Sequence, residues 1–192
     1  MNKIERFFDD IAEEYDNGKV KNYQLIDSLI SDIEIKIGDN VLDLGCGKGV
    51  ISERLYDHSK RKVIAMDLSE RMIHFAKKGR INPEKVVFIK DDFYTTRERG
   101  FDQIVLFDCY PHFLDIERFK AKCQEVLNEK GKISIIHDIS RDYLNHCHSG
   151  ISSISRTLLP VTEEAKPYLD VFDIMKAKET DQSYLLILRK KK

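Results

Sequence analysis

The residues most able to do chemistry are concentrated in one short segment, from Val41 to Gly49. It reads VLDLGCGKG, an apolar run of strand type followed by glycines at Gly45, Gly47 and Gly49, with Asp43 just before the first of them. Glycines at the end of a buried strand let the backbone turn sharply and approach a ligand closely. The spacing therefore predicts a ligand-binding loop between a strand and a helix, with a carboxylate beside it.

Two common phosphate-binding patterns do not fit this segment. The phosphate-binding loop of nucleotide hydrolases has the form G-x-x-x-x-G-K-[ST], whereas Gly49 is followed by Val50 and Ile51. A dinucleotide-binding loop has the form G-x-G-x-x-G and holds a pyrophosphate on backbone amides. The Asp43 carboxylate would repel such a group at short range. The segment instead suits a ligand that carries positive charge and no phosphate.

Acidic residues also end the next two predicted strands. Asp67 follows the second, where a carboxylate accepts hydrogen bonds from ribose hydroxyls in doubly wound folds. Asp91, Asp92 and Phe93 follow the third, where an acid can accept from an adenine amino group while the aromatic ring packs on the base. Asp is also common at turns and helix N-caps, so one such position alone would indicate little. Together with the glycine loop, they indicate S-adenosylmethionine, which combines a sulfonium, an ammonium, a ribose and an adenine.

Composition narrows the class of protein that can carry such a site. The chain has 192 residues, with 32 Lys and Arg against 33 Asp and Glu and a net charge of -1. Binding to nucleic acid would need a local basic patch, so no nucleic-acid partner is expected. No apolar run predicts a membrane span, the first residues do not have the pattern of a signal peptide, and the four cysteines lack CxxC pairing. We therefore expect a soluble cytoplasmic protein of one domain, without disulfides, a membrane partner or a bound metal.

The elements around the site alternate between helices and strands. Apolar periodicity and capping residues predict helices at residues 4–15, 25–33, 69–79 and 115–131, and a short one from Ser140. Short apolar runs predict strands at residues 41–44, 63–66, 86–89, 103–107 and 132–137, and an antiparallel pair at 171–178 and 183–189. The predicted fold is α/β: a doubly wound, mostly parallel seven-stranded sheet with a C-terminal antiparallel hairpin and helices on both faces.

Over roughly residues 5 to 138 the chain resembles the class I S-adenosylmethionine-dependent methyltransferases of the small-molecule kind. It is similar to the ubiquinone and menaquinone methyltransferases. That family's D-x-G-x-G-x-G motif is matched by Asp43 and the three glycines, and its acid after the second strand by Asp67. Its S-x-x-M-x-x-x-A helix is matched by Ser69, Met72 and Ala76.

A further family pattern, F-x-x-x-A-x-x-Y-D, appears as Phe8, Ala12, Tyr15 and Asp16. Its tyrosine commonly reaches the methionine end of the cofactor, although core packing is an alternative role for both aromatic residues. The resemblance implies a Rossmann-like methyltransferase fold with S-adenosylmethionine as cofactor. The expected cofactor contacts are Tyr15, Asp43, Gly45, Cys46, Gly47, Asp67, Leu68, Met72, Asp91, Asp92, Phe93 and Asp108.

The resemblance also implies where the methyl acceptor binds. The family places active-site residues directly after the fourth strand, here Asp108 to His112, and His137 ends the fifth strand. Imidazole can take a proton or accept a hydrogen bond near neutral pH, so His112 and His137 are the candidate catalytic residues. The alternative is that His112 is a turn residue after Pro111 and that His137 is a structural strand-end histidine.

Three other features bear on the substrate side. His146, Cys147 and His148 could be zinc ligands but are more simply solvated residues near a helix C-terminus. The family's Ala-Gly-Phe turn before the sixth strand is replaced by the sequence YLDVF at residues 168–172, so this region is expected to differ. Residues 108–111 lack the Asn-Pro-Pro-Tyr type of motif, which disfavours N-methylation of adenine or glutamine.

These observations predict a methyltransferase of one domain that acts on a small molecule by in-line displacement. Residues 1–38 would form helices that are part of a lid, residues 39–138 the cofactor-binding core, and residues 139–192 a substrate-side helix, loop and hairpin. The accepting atom stays open between oxygen, nitrogen, carbon, sulfur and a metalloid, and no oligomeric state is predicted. Alternatives are a methyltransferase acting on RNA or protein, and a non-catalytic module that binds S-adenosylmethionine.

Overall fold

The computed structural model describes residues 2–15, 20–79 and 81–192. Asp16, the last residue of the tyrosine pattern, lies outside the described residues. The chain divides into two compact units, Met1–Thr96 and Arg97–Lys192.

The described residues of the N-terminal unit form three parallel strands and four helices. Its elements are α1 (Lys3–Ile11), α2 (Tyr23–Ile33), β1 (Val41–Leu44), α3 (Ser52–Ser59), β2 (Val63–Asp67), α4 (Glu70–Lys78) and β3 (Val86–Lys90). β2 pairs in parallel with β1 on one side and with β3 on the other. The parallel pairing brings the ends of β1, β2 and β3, with their acidic residues, to one edge of this unit.

Local sequence explains where its helices begin. Asn2, Asn22 and Ser69 are the N-caps of α1, α2 and α4, and each side chain accepts a hydrogen bond from a backbone amide of the first turn. The predicted cap at Ser69 and the predicted stop at Gly79 are both confirmed. Helix α3 begins at Ser52, after the glycine loop, where the motif predicts a helix without giving its bounds.

The C-terminal unit contains four strands, three helices and two short 3-10 turns. Its elements are β4 (Phe101–Phe107), α5 (Ile116–Val126), β5 (Leu127–His137), α6 (Arg141–His148), α7 (Val161–Ala165), β6 (Phe172–Glu179) and β7 (Tyr184–Lys190). The 3-10 turns are Tyr110–His112 and Lys166–Tyr168. β5 pairs in parallel with β4 and antiparallel with β7, which in turn pairs antiparallel with β6.

One sequence prediction in this unit is corrected. Helix α5 ends at Val126 rather than near Gly131, because Leu127 already pairs with Phe101 of β4 and begins β5. This tertiary pairing overrides the local helical pattern. Helix α7, which begins at Val161 directly after Pro160, lies between α6 and the hairpin.

The strands follow the order β3-β2-β1-β4-β5-β7-β6 in a seven-stranded mixed sheet. The predicted fold class is therefore confirmed. The predicted C-terminal hairpin is present, and β7 pairs antiparallel with both β5 and β6. None of the helices formed by the described residues is long and apolar enough to cross a bilayer.

Candidate functional site

The glycine loop after β1 has the backbone conformation that its sequence predicts. Gly45, Gly47 and Gly49 have φ values of 69°, 53° and 84°, in the left-handed region that favours glycine. A Cβ atom on Gly49 would also lie 2.7 Å from Cδ1 of Ile81 and 2.8 Å from Cζ of Phe88, so a larger residue there would displace both side chains. A Cβ on Gly47 would meet nothing within 4 Å. The loop is thus closely packed around Gly49, whereas the space beside Gly47 is open.

Asp67, at the end of β2, forms hydrogen bonds with the glycine loop after β1 and with the turn that follows β2. Its Oδ2 accepts from the Gly47 amide at 2.8 Å, and its Oδ1 accepts from the Ser69 amide at 2.8 Å. Burial raises the pKa of Asp67, and the nearby Asp9 raises it further, while the two amide hydrogen bonds lower it. Each carboxylate oxygen has a second lone pair. The side chain is therefore held in a fixed orientation and can still accept hydrogen bonds from a ribose.

Asp43 is the most deeply buried acid among the described residues of this unit, with 1% of its surface exposed. The Ser52 hydroxyl donates to its Oδ2 at 2.5 Å, whereas its Oδ1 has no hydrogen-bond partner among the described residues. Burial raises the pKa of Asp43 to about 7, and the Asp67 charge adds to the increase. A buried oxygen without a donor is costly, and a cationic ligand beside it would stabilise the carboxylate. The acid before the glycines thus fits a positively charged group.

The end of β3 is built from turn hydrogen bonds. The Asp91 amide donates to the Asp67 carbonyl at 3.1 Å, which ties this turn to the end of β2. The Asp92 amide donates to Oδ1 of Asp91, and the Tyr94 amide donates to Oδ1 of Asp92, each at 2.9 Å. Phe93 is buried. Both acids therefore have the turn-capping role that was the alternative to adenine binding, and the second oxygen of each carboxylate is not used in these bonds.

The remaining cofactor contacts expected in this unit differ in exposure. Met72 is 1% exposed, so it is a core residue of α4, and Cys46 is buried with its Sγ 3.7 Å from the Gly47 carbonyl. Leu68 is half-buried directly after β2. Tyr15 is half-buried, with its ring centroid 6.0 Å from that of Phe8. Ser52, which the sequence analysis did not single out, is a further residue of the site because it orients Asp43.

In the C-terminal unit, Asp108 and His137 lie next to each other at the ends of β4 and β5. Oδ1 of Asp108 is 3.4 Å from Nδ1 of His137 and accepts from the Asp138 amide at 3.3 Å. Asp108 has a φ of 54°, which is rare for a residue other than glycine and common at functional turns. His137 is fully buried, and neither ring nitrogen has a hydrogen-bond partner among the residues that the structure describes.

His112 lies at the end of the first 3-10 turn with a defined hydrogen bond. Its Nδ1 is 2.9 Å from the Ile154 carbonyl oxygen. Because a carbonyl can only accept, Nδ1 carries the hydrogen and the lone pair of the neutral ring is on Nε2. Burial lowers the pKa of His112 to about 4, with smaller contributions in the same direction from His148 and His137. His112 is therefore neutral at physiological pH.

His148 adds a third imidazole to this part of the unit, with its ring centroid 5.1 Å from that of His112. Its Nδ1 is 2.7 Å from the Ser155 hydroxyl, and burial lowers its pKa. His146 and Cys147 are exposed. Among residues 2–15, 20–79 and 81–192, no group of three or more His, Cys, Asp or Glu side chains has the arrangement of a metal site.

The segment that contains Ile154 is held by a buried ion pair. The Arg156 guanidinium donates to both carboxylate oxygens of Glu164, at 2.6 Å and 3.1 Å, and lies 4.6 Å from the centre of the Tyr110 ring. The Arg156 amide donates to the Pro111 carbonyl at 3.0 Å. The ion pair thus fixes both the turn that carries His112 and the segment that supplies its hydrogen-bond acceptor. A lone Arg and Glu carry no local sequence signal for such a role.

The sequence and the fold of the chain are similar to those of known methyltransferases. A family profile described as "Methyltransferase domain" matches residues 41–131, which include the glycine loop, Asp67, Asp108 and His112. The chain is 28% identical over 157 residues to the juvenile hormone acid O-methyltransferase of Bombyx mori, covering 73% of this chain and 56% of that protein. It is 30% identical over 135 residues to a ubiquinone biosynthesis O-methyltransferase of Coxiella burnetii, covering 66% and 57%. The chain spans about half the length of the curated relatives it matches.

Solved structures show the same fold at low sequence identity. A chain from the complex of the Haloferax volcanii Trm112 methyltransferase activator with a methyltransferase has a TM-score of 0.84 at 14% identity, covering 99% of this chain and 98% of that one. An N-methyltransferase of Bradyrhizobium japonicum and the magnesium protoporphyrin IX methyltransferase of Synechocystis, both solved with S-adenosylhomocysteine, each have a TM-score of 0.69, at 13% and 17% identity. The glycine motif and the matched domain are similar to those of class I S-adenosylmethionine-dependent methyltransferases, and the solved structures show that the chain has their fold.

Proposed function

We propose that this chain transfers a methyl group from S-adenosylmethionine to a small molecule. The observation that carries the proposal is the Asp67 carboxylate, held by the amides of Gly47 and Ser69 beside an acid-flanked glycine loop. This arrangement offers negatively charged oxygen atoms that accept hydrogen bonds from hydroxyl groups. A dinucleotide-binding site would instead offer backbone amides that bind phosphate. It fits a ligand with a ribose and a cationic end.

The residues of the N-terminal unit would hold the cofactor by its separate chemical groups. Asp67 would accept from the ribose hydroxyls, and Asp43 would stabilise the positive charge of the methionine end. Asp91 or Asp92 would accept from the adenine amino group, with Phe93 beside the base. When bound, the cofactor supplies an electrophilic methyl group on a sulfonium.

The C-terminal unit would orient the methyl acceptor. With its proton on Nδ1, His112 carries a lone pair on Nε2 that can accept a hydrogen bond from a hydroxyl, amine or thiol. A pKa of about 4 makes His112 a weak base. Its main role would therefore be to position the nucleophile rather than to accept the nucleophile's proton as a general base. His137 is fully buried beside Asp108, and we infer that it acts on the acceptor through that carboxylate.

A small-molecule acceptor is favoured over RNA or protein by two observations. The net charge of -1 provides no general attraction for a polyanion. The two curated relatives named above are O-methyltransferases whose names specify a hormone acid and ubiquinone biosynthesis. A module that binds the cofactor without catalysis is the remaining alternative, because the glycine loop and Asp67 serve binding as well as transfer.

A labelled-methyl transfer assay tests all three functions at once. The purified chain is incubated with S-adenosylmethionine carrying a labelled methyl group and with fractionated small metabolites, total RNA or bulk protein. We expect label only in a small-metabolite fraction, and its loss with the Asp67→Ala variant. Label in RNA or protein would support the second hypothesis, and cofactor binding without any transfer would support the third.

A further inference from the structure

Helix α1 is attached to the N-terminus of α4 by one carboxylate. Oδ1 of Asp9 accepts from the Ser69 hydroxyl at 2.6 Å and from the Arg71 amide at 3.1 Å. The Arg71 guanidinium donates in return to the Asp9 backbone carbonyl at 3.0 Å. An acid at a helix N-terminus is favoured by the helix dipole and by the unpaired amides of the first turn. Asp9 therefore docks α1 at a defined position.

Ser69 extends this contact to the proposed ribose acid. Its hydroxyl accepts from the Met72 amide at 3.0 Å, and its own amide donates to Oδ1 of Asp67 at 2.8 Å. Asp67 in turn accepts from the Gly47 amide. A continuous series of hydrogen bonds thus leads from α1 through the α4 cap to the glycine loop.

A second contact docks the beginning of α1 near the end of β3. Oε1 of Glu5 lies 3.1 Å from Nζ of Lys90, the last residue of β3 and the neighbour of Asp91. The hydrogen bond to Glu5 raises the pKa of Lys90. Among the described residues, no side chain of α1 is fully buried. These polar contacts therefore add to the half-buried apolar residues of α1 in fixing its position.

We propose that Asp9 is a positioning residue of the cofactor site: it docks α1 on α4 and holds Ser69, and through it Asp67, in the orientation that binds the ribose. The inference depends on the proposed function, because it assigns a ribose to Asp67. By thermodynamic linkage, a change that destabilises the docking of α1 weakens cofactor binding. Cofactor binding in turn stabilises the docked α1 by the same factor. This couples the N-terminal helix to the binding site without any direct contact between Asp9 and the ligand.

The test compares Asp9→Ala with Asp10→Asn, which changes the next, exposed acid of the same helix. Titration calorimetry with S-adenosylhomocysteine is expected to show binding about 5- to 20-fold weaker for Asp9→Ala and unchanged for Asp10→Asn. Hydrogen exchange of residues 3–11 should be faster in ligand-free Asp9→Ala and should slow on ligand addition in the wild type. Equal affinity and equal exchange in a folded Asp9→Ala variant would overturn the inference.

Variants at Ser69 separate the hydrogen-bond route from a general loss of stability. Ser69→Thr keeps the hydroxyl and should retain wild-type affinity, whereas Ser69→Ala should weaken binding as Asp9→Ala does. In the Ser69→Ala background, Asp9→Ala should have a smaller effect than alone. Full additivity of the two substitutions would overturn the proposed route.

If Asp9→Ala does not fold, Asp9→Asn, which keeps an acceptor oxygen, replaces it. Absence of any ligand binding by the wild type would overturn the proposed function, while exchange in ligand-free α1 would still test the docking role of Asp9.

Discussion

The backbone amide of Gly47 donates a 2.8 Å hydrogen bond to Oδ2 of Asp67, which joins the loop after β1 to the end of β2. Two motifs that are separate in the sequence therefore form one structure. The conformation of the glycine loop depends on the carboxylate, and the carboxylate is oriented by the loop. A change at either residue should affect ligand binding through both.

The first prediction concerns Asp67→Ala. Loss of a charged acceptor for two ribose hydroxyls, together with loosening of the glycine loop, should weaken cofactor binding by about 1.5–3 kcal/mol. Calorimetric titration with S-adenosylhomocysteine measures the change. Asp57→Ala, which removes an exposed carboxylate of α3, is the control and should bind normally. A folded Asp67→Ala variant with unchanged affinity would show that Asp67 does not bind the ribose.

The second prediction concerns ligand class. Two acids beside the glycine loop disfavour phosphate groups by charge repulsion, so S-adenosylmethionine and S-adenosylhomocysteine should bind far more tightly than NAD or ATP. Competition titrations at constant ionic strength compare the four ligands directly, because salt screens the repulsion. Tighter binding of NAD would mean that the loop is a dinucleotide site.

The third prediction follows from the raised pKa of Asp43, about 7 in the folded protein against 3.8 as the ordinary value. Between these two pH values the folded state binds more protons than the unfolded state, so stability should fall as pH rises. Asp43→Asn removes this ionisation and should be more stable than the wild type above pH 7, by up to about 4 kcal/mol. Urea unfolding from pH 4 to pH 8 measures the difference, which should shrink toward pH 4. Parallel curves at all pH values would contradict a raised pKa.

The residues that could be predicted from the sequence are those whose role is local. The strand before Gly45, the glycine spacing, the cap at Ser69 and the acid at Asp67 are all determined within a few residues of chain. Their type and position follow from backbone geometry, and the structure places them as expected.

Other parts of the site depend on partners distant in the chain, and these were not predictable. Ile154 contributes a carbonyl to His112, and a backbone carbonyl has no residue-specific signature. Asp9 is one of several acids on α1, and only the position of α4 distinguishes it from Asp10. Similarly, Leu127 continues the apolar stripe of α5 but is taken into β5 by its pairing with Phe101.

The fourth prediction concerns the tautomer and the titration of His112. Nitrogen NMR should show the proton on Nδ1, with signals assigned by comparison with His112→Asn. Because its pKa is lowered to about 4 from 6.5, the unfolded state binds more protons between these values, and His112 should make the protein less stable as pH falls from 6.5 toward 4. His112→Asn should reduce this acid sensitivity. A proton on Nε2 would contradict the hydrogen bond to Ile154, and a titration near 6.5 would contradict the lowering of the pKa by burial.

The last prediction separates a functional from a structural role for His137. Its two ring nitrogens are buried without hydrogen-bond partners among the described residues, and burying unpaired polar groups reduces stability. His137→Phe keeps an aromatic ring of similar size in this position. It should therefore leave the free energy of unfolding unchanged or raise it by about 1 kcal/mol.

If His137 acts on the acceptor through Asp108, the same variant should lower turnover by about 10-fold or more while cofactor affinity stays constant. Such a gain in stability with a loss of activity is typical of residues retained for function. Asp108→Asn should give a similar loss of turnover, because it removes the charge next to the imidazole. Full activity of His137→Phe would instead identify His137 as a structural strand-end residue and leave His112 as the only histidine proposed to act on the acceptor.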